Sequence, residues 1–282
     1  MFSTRNTRLL GGAAAMLVGS TLAAVLPAAG AQAAVPGLVQ VQAASPNNSV
    51  GKSVTVSCPA GQRVVDAGGY ITGAGPNDIA LDDITPNAGL GSVTASAYET
   101  DGTGANWRVH AVAECANPLA GQVRVFNTSP NNSANKSVTV TCPAGTDVIG
   151  VGLQTDRGLG DVIIDRVAPN AGLTSVTVAG REDGALARNW DIIAYAVCAN
   201  VLPGQLGVAA SPPASSANKV QPAICPTGTV AIGGGGEVVG AGGQVLLREL
   251  LPAGNSVVAV ANEEDPFAGN WTLITTAICA RP

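Results

Sequence analysis

Asn106-Trp107-Arg108-Val109-His110-Ala111-Val112-Ala113-Glu114-Cys115 alternates in character along its length. Trp107, Val109, Ala111, Ala113 and Cys115 fall on one face of an extended chain. Arg108, His110 and Glu114 fall on the other, with Val112. Successive side chains point to opposite faces of a strand, so the pattern predicts a half-buried β-strand with its Trp and Cys turned inward. The line is written twice more. Trp190, Ile192, Ala194, Ala196 and Cys198 repeat it, as do Trp271, Leu273, Thr275, Ala277 and Cys279. Asn189 and Asn270 precede these tryptophans as Asn106 precedes the first, and the three lie 83 and 81 residues apart. A period this constant marks three copies of one module.

Other positions recur outward from that strand. Cys58-Pro59-Ala60-Gly61, Cys142-Pro143-Ala144-Gly145 and Cys225-Pro226-Thr227-Gly228 open the copies. Lys52, Lys136 and Lys219 stand six residues before these cysteines. Gly68, Gly152 and Gly235 stand seven after the opening glycines, where Gly inside a strand marks a bulge or a close backbone approach. Pro86-Asn87-Ala88-Gly89, Pro169-Asn170-Ala171-Gly172 and Pro252-Ala253-Gly254-Asn255 read as turns. In the first copy, strands are expected over 38–42, 53–58, 63–70, 79–85, 92–99 and 107–115. Each is rich in Val, Ile and Thr and bounded by Gly, Pro or Asn. No stretch after residue 33 carries a capped helical period.

The fold expected is all-β: three tandem antiparallel β-sandwich-like modules over 34–117, 118–201 and 202–282. A row and a pseudo-threefold ring both satisfy the pattern. An alternative is a β-prism-like arrangement in which each copy supplies one sheet. The six cysteines pair most economically inside modules, as Cys58–Cys115, Cys142–Cys198 and Cys225–Cys279. Each bridge contributes about 4 kcal/mol on the loop-entropy model, which matters for a module too small to build a large core.

Residues 1–33 read as a secretory signal. Arg5 and Arg8 precede an apolar run softened by Gly and Ala, and Ala31-Gln32-Ala33 resembles a cleavage site. Pro27 and the small residues argue against a membrane anchor. Later apolar runs are far shorter than the ~20 residues of a span, and the three residues after Cys279 carry no wall-sorting or lipid-attachment signal. The product is therefore expected to be secreted and extracellular, where disulfides persist. Removing the signal leaves twelve basic against nineteen acidic residues, a net charge of about −7, which offers nucleic acid or anionic membrane no attraction.

The series Cys-Pro-x-Gly, a Gly-containing strand, a Pro turn, Asn-Trp and Ala-x-Cys, spanning 38–282, resembles an uncharacterised module of exported proteins in actinomycetes and their relatives. The resemblance implies secretion and an all-β fold, and it carries no catalytic residue across. The strand order is loosely similar to the six-stranded sandwich of trimeric H-type lectins, without a matching binding motif.

No catalytic residue, cofactor or metal site is expected. His110 is the single histidine and faces outward, and no serine sits in a nucleophile elbow. The adjacent Asp82-Asp83 could serve a glycosidase, but its counterparts are Asp165-Arg166 and Arg248-Glu249. That exchange of sign points to ion pairing between modules or strands. The segment 101–106 has the oxygens of a calcium loop without the spacing. The most polar segments run from Glu99, Glu182 and Glu263 to each Asn-Trp. Candidate ligand-binding residues are therefore Glu99, Asp101 and Asn106, with Glu182, Asp183 and Asn189, and Glu263, Glu264 and Asn270. Three such loops on one rim would multiply weak contacts. In the competing reading, Glu closes a strand and Asn orders a turn before a buried Trp. The expected function is a secreted, non-enzymatic binding protein, with an extracellular glycan or protein as partner. A structural component of the extracellular layer is the alternative, and a secreted hydrolase is the third.

Overall fold

A computed structural model describes residues 35–282, apart from Ala74, Pro76, Asn77 and Asp265. The signal segment 1–33 lies outside the described residues. The first module contributes β1 (Val39–Ala44), β2 (Lys52–Ser57), β3 (Arg63–Gly73), β4 (Ile79–Pro86), β5 (Ser92–Glu99) and β6 (Trp107–Ala116). The second contributes β7 (Val123–Thr128), β8 (Lys136–Thr141), β9 (Thr146–Asp156), β10 (Val162–Pro169), β11 (Ser175–Glu182) and β12 (Asp191–Asn200). The third contributes β13 (Leu206–Ala210), β14 (Lys219–Ile224), β15 (Val230–Val239), β16 (Val245–Ala253), β17 (Ser256–Glu263) and β18 (Thr272–Ala280).

The 18 strands form three antiparallel sheets of six, ordered β1-β6-β3-β16-β17-β14, β13-β18-β15-β10-β11-β8 and β2-β5-β4-β9-β12-β7. Each module is thus a sandwich of two three-stranded half-sheets, and each half-sheet is continued by a neighbour. The fourth strand of one module pairs with the third strand of the next: β4 with β9, β10 with β15, and β16 back to β3. The last pairing closes a pseudo-threefold ring. The prism alternative is corrected here, because no copy owns a whole sheet. Alternation says which face of a strand is buried but not which strand lies beside it.

The disulfides join Cys58–Cys115, Cys142–Cys198 and Cys225–Cys279, each tying the two half-sheets of one module together. Trp107, Trp190 and Trp271 are among the largest fully buried side chains. They lie in one apolar cluster that draws residues from all three modules.

The recurring strand glycines serve close approach. A Cβ on Gly68 would stand 2.6 Å from Leu250 O, and one on Gly152 would stand 2.8 Å from Ile84 O. The bulges fall three residues earlier, between Val64 and Asp66 in β3 and between Ala231 and Gly233 in β15. Charge exchange at the junctions is also realised. Arg166 bridges to Glu237 of the third module at 3.1 Å, and Asp165 pairs across strands with Arg181 at 2.6 Å.

Candidate binding apex

The three glutamates that close β5, β11 and β17 have one shared role. Glu99, Glu182 and Glu263 each accept a hydrogen bond from the indole Nε1 of the Trp eight residues on, at 3.0, 2.9 and 2.9 Å. Their second oxygens accept from the backbone N–H of Thr103, Leu186 and Phe267, which orders each loop. Lys52, Lys136 and Lys219 lie over a face of the same indoles, 3.6 to 3.7 Å from the ring centroids. A cation over Trp contributes about 0.5–2 kcal/mol. Each module thus holds a Lys–Trp–Glu triad, whose carboxylates are occupied within the fold. Asn106, Asn189 and Asn270 are exposed, one beside each Trp.

One residue beyond each glutamate, the modules meet. Thr100, Asp183 and Glu264 are equivalent: their N–H groups donate to Asp78 O, Asp161 O and Gln244 O respectively. The Glu264 carboxyl lies within hydrogen-bonding reach of the Thr100 and Asp183 side chains, and Asp101 adds its charge nearby. Equivalent residues from three modules can touch only around the pseudo-threefold axis. Just inside them the axis is filled by a second set of equivalents, the buried Ala80, Ile163 and Leu246.

Glu264 is only 7% exposed. Burial, then the charge of Asp183, pushes its pKa up to about 8. The Thr100 hydroxyl approaches without the alignment of a full hydrogen bond, and Glu264 Oε1 is left unpartnered. Such an oxygen is costly to bury unless something else meets it. Burial and the neighbouring Asp183 limit that cost by favouring the protonated Glu264 carboxyl. Of the predicted residues, the structure therefore brings Asp101, Asp183 and Glu264 together. It leaves the other six on separate modules.

Two features escape a reading of the repeat. Thr100 is invisible because its counterparts are acids. Asp66 is the other: it stands where the second and third modules have Gly150 and Gly233. It is fully buried and accepts from Val151 N at 2.7 Å and Gly234 N at 3.2 Å, one donor from each other module. Its signal was the break in the repeat.

Asp82 and Asp83 are both largely buried at the first junction. Asp83 accepts from Ser96 Oγ at 2.7 Å and from Thr155 N at 2.9 Å, so it ties the first module to the second. His110 stacks on Tyr70 with centroids 4.2 Å apart and contacts Thr72 Oγ1 at 2.9 Å. Among the described residues no group of three His, Cys, Asp or Glu is arranged to hold a metal ion, and no helix is long and apolar enough to cross a membrane.

No protein-family model matches the chain, and no curated protein matches it.

Proposed function

We propose that the chain is a secreted, non-enzymatic binding protein whose apex engages a cell-envelope glycan or another exported protein. The observation that carries this reading is the convergence of three loops on the axis, around a buried carboxyl with an unpartnered oxygen. The Lys–Trp–Glu triads support it by anchoring both ends of each loop. A rigid frame lowers the ordering cost of binding. Three disulfides are consistent with export, since such bridges persist in oxidising compartments. An acidic apex selects the ligand face: amines and hydroxyl donors rather than phosphate or sulfate.

The test pairs retention on whole cells with a glycan array. Wild type is expected to be retained, and Asp183→Asn/Glu264→Gln to lose most of that retention while keeping the three disulfides and the folded tryptophan signal. Wild type that binds neither cells nor glycans at high concentration would end the reading. A second reading, a structural component of the extracellular layer, is favoured by one observation: Val220 and Ile224 of the edge strand β14 stand well exposed.

A further inference from the structure

Gln40, Arg124 and Gly207 hold one place in the three modules. Each is paired in register with the residue before the closing cysteine: Gln40 with Glu114, Arg124 with Val197 and Gly207 with Ile278. Gln40 and Arg124 play the same part at their junctions. Gln40 Nε2 donates to Pro252 O of the third module, and Arg124 Nη1 donates to Pro86 O of the first at 2.7 Å. The second of these bonds forms beside a valine. An acid at position 114 is therefore not required to close the junction, and the other copies place Val and Ile there.

Glu114 is nonetheless buried, with 5% of its surface exposed. It lines a cavity of about 220 Å³ with Leu38, Val39 and Gln40 of its own module and Ala231 and Gly254 of the third. Its Oε1 accepts from Gln40 Nε2 at 2.7 Å. Among the described residues its Oε2 has no hydrogen-bond partner. Asp66 is registered with Glu114 across β3 and β6, and its own oxygens are taken by backbone donors. No ion pair neutralises either acid among the described residues. Burial raises the Glu114 carboxyl, and the Gln40 bond opposes this. A buried carboxyl with an open oxygen carries a desolvation cost that Val or Ile at the same place would not.

We propose that this cavity binds a small primary ammonium group, which donates to Glu114 Oε2. Charge selects the class, since two acids lie here without a paired cation. Geometry narrows it. A guanidinium uses both oxygens of a carboxylate for its fork, and Oε1 is already taken, so a compact point donor fits. Gln40 adds a second acceptor. Both of its bonds are donated by Nε2, which leaves its Oε1 without a bond among the described residues. The cavity is smaller than the ~300 Å³ at which pockets for drug-sized ligands begin. Leu38, Val39 and Ala231 therefore meet a short alkyl chain, as carried by a free amine or by the end of a lysine side chain. Glu114 lies about 23 Å along β6 from Trp107, where the apex loop enters the strand. The site is thus separate from the apex and does not depend on the function proposed there.

Methyl NMR of the disulfide-bonded chain 34–282, titrated with n-propylammonium at low salt and about pH 8, where the amine is charged, tests this. The Leu38, Val39 and Ala231 signals should shift and saturate on the order of a few millimolar, as suits so small a ligand. Both n-propanol and n-propylguanidinium should bind at least about tenfold more weakly. A parallel titration with lysine capped at both ends separates the two sources. It matches n-propylammonium if a lysine end enters the cavity, and shifts nothing if only free amines do. Glu114→Val copies Val197, so the local fold accommodates it. It should abolish the shifts and keep the folded tryptophan signal. Should that variant fail to fold, Glu114→Gln removes the charge alone and should weaken binding at least about tenfold. Shifts at Ala80, Ile163 and Leu246 instead would put the amine at the apex. That outcome, a wild type without saturable shifts, or a folded variant that binds like wild type would each overturn the proposal.

Discussion

Asp66 shows how much one side chain can do in a nearly symmetric ring. Its two carboxylate oxygens take one backbone N–H from each of the other modules. Gly150 and Gly233 leave it room: a Cβ at either would come within 3 Å of its carboxyl group. Burial pushes the Asp66 carboxyl well above the ordinary range, and the charge of Glu114 adds to this. Asp66→Ala orphans two buried donors at about 1–3 kcal/mol each, so a loss of roughly 3 kcal/mol in denaturant unfolding is expected. Asp66→Asn keeps the shape and one acceptor and should lose about half as much. Variants as stable as wild type would remove Asp66 from the axis. The raised carboxyls also set the pH response. A carboxyl whose folded pKa lies above its ordinary value holds its proton more tightly when folded. Its contribution is full below the ordinary value and lost as pH rises through the folded one. For Glu264 that window runs from 4.5 to about 8. Burial raises Asp82 and Asp83 in the same direction. The melting temperature should therefore fall between about pH 5 and about pH 8, and Glu264→Gln should flatten part of the slope. A melting temperature that climbs across that range contradicts this account.

At the scale of the strand, period-two alternation and turn residues placed every element of the first module to within a few residues. They also turned the three tryptophans inward. Alternation is a local property written by the chain itself, which is why it was legible. Strand partners were not, because each junction rests on only two registered pairs, Asp83–Gln154 and Ile84–Leu153 at the first. The recurring Gly68, Gly152 and Gly235 carried the missing information as a requirement for close approach. At the apex, the glutamates were visible as a repeat, but their bond to the indole is a cross-loop contact that no spacing encodes. The glycine argument makes a contrast. In Gly152→Ala the new methyl would meet Ile84 O at 2.8 Å and Pro86 Cδ at 2.6 Å, both across the junction. Neither atom is the free end of a flexible chain. A loss of about 2 kcal/mol or more is expected, as for overpacking. Gly172→Ala, in a turn with nothing within 4 Å, should change stability by less than about 0.5 kcal/mol. Equal effects at the two sites, measured by thermal unfolding, would mean that the junction is looser than described.

At the scale of the whole molecule, the ring makes the break between the third and first modules resemble the two linkers. Asn117 N donates to Pro36 O at 3.0 Å, Asn200 N to Ala120 O at 2.9 Å, and Arg281 N to Pro203 O at 3.2 Å. These equivalent bonds show that each module ends beside its own first strand in the same way. The junction of β16 with β3 repeats that of β4 with β9. The step from Ala116 to Leu119, which enters the second module, therefore has a counterpart running from Ala280 to Val35. Three residues span at most about 10 Å, and Arg281 and Pro282 are already the two intervening residues. Joining Pro282 directly to Val35 would write Ala280-Arg281-Pro282-Val35-Pro36-Gly37 beside Ala116-Asn117-Pro118-Leu119-Ala120-Gly121 and Ala199-Asn200-Val201-Leu202-Pro203-Gly204. A chain of residues 35–282 joined this way and reopened between Asn117 and Pro118 keeps every disulfide within a module. It breaks no strand pairing. It should fold with the same three disulfides and unfold within about 2 kcal/mol of the parent, as permutants with adjacent ends do. The check is peptide mapping under non-reducing conditions together with equilibrium unfolding. A permutant with scrambled bridges, or one that loses its tryptophan signal, would mean that the third junction is not the equivalent of the other two. The ring would then be held mainly by the order in which its modules are connected.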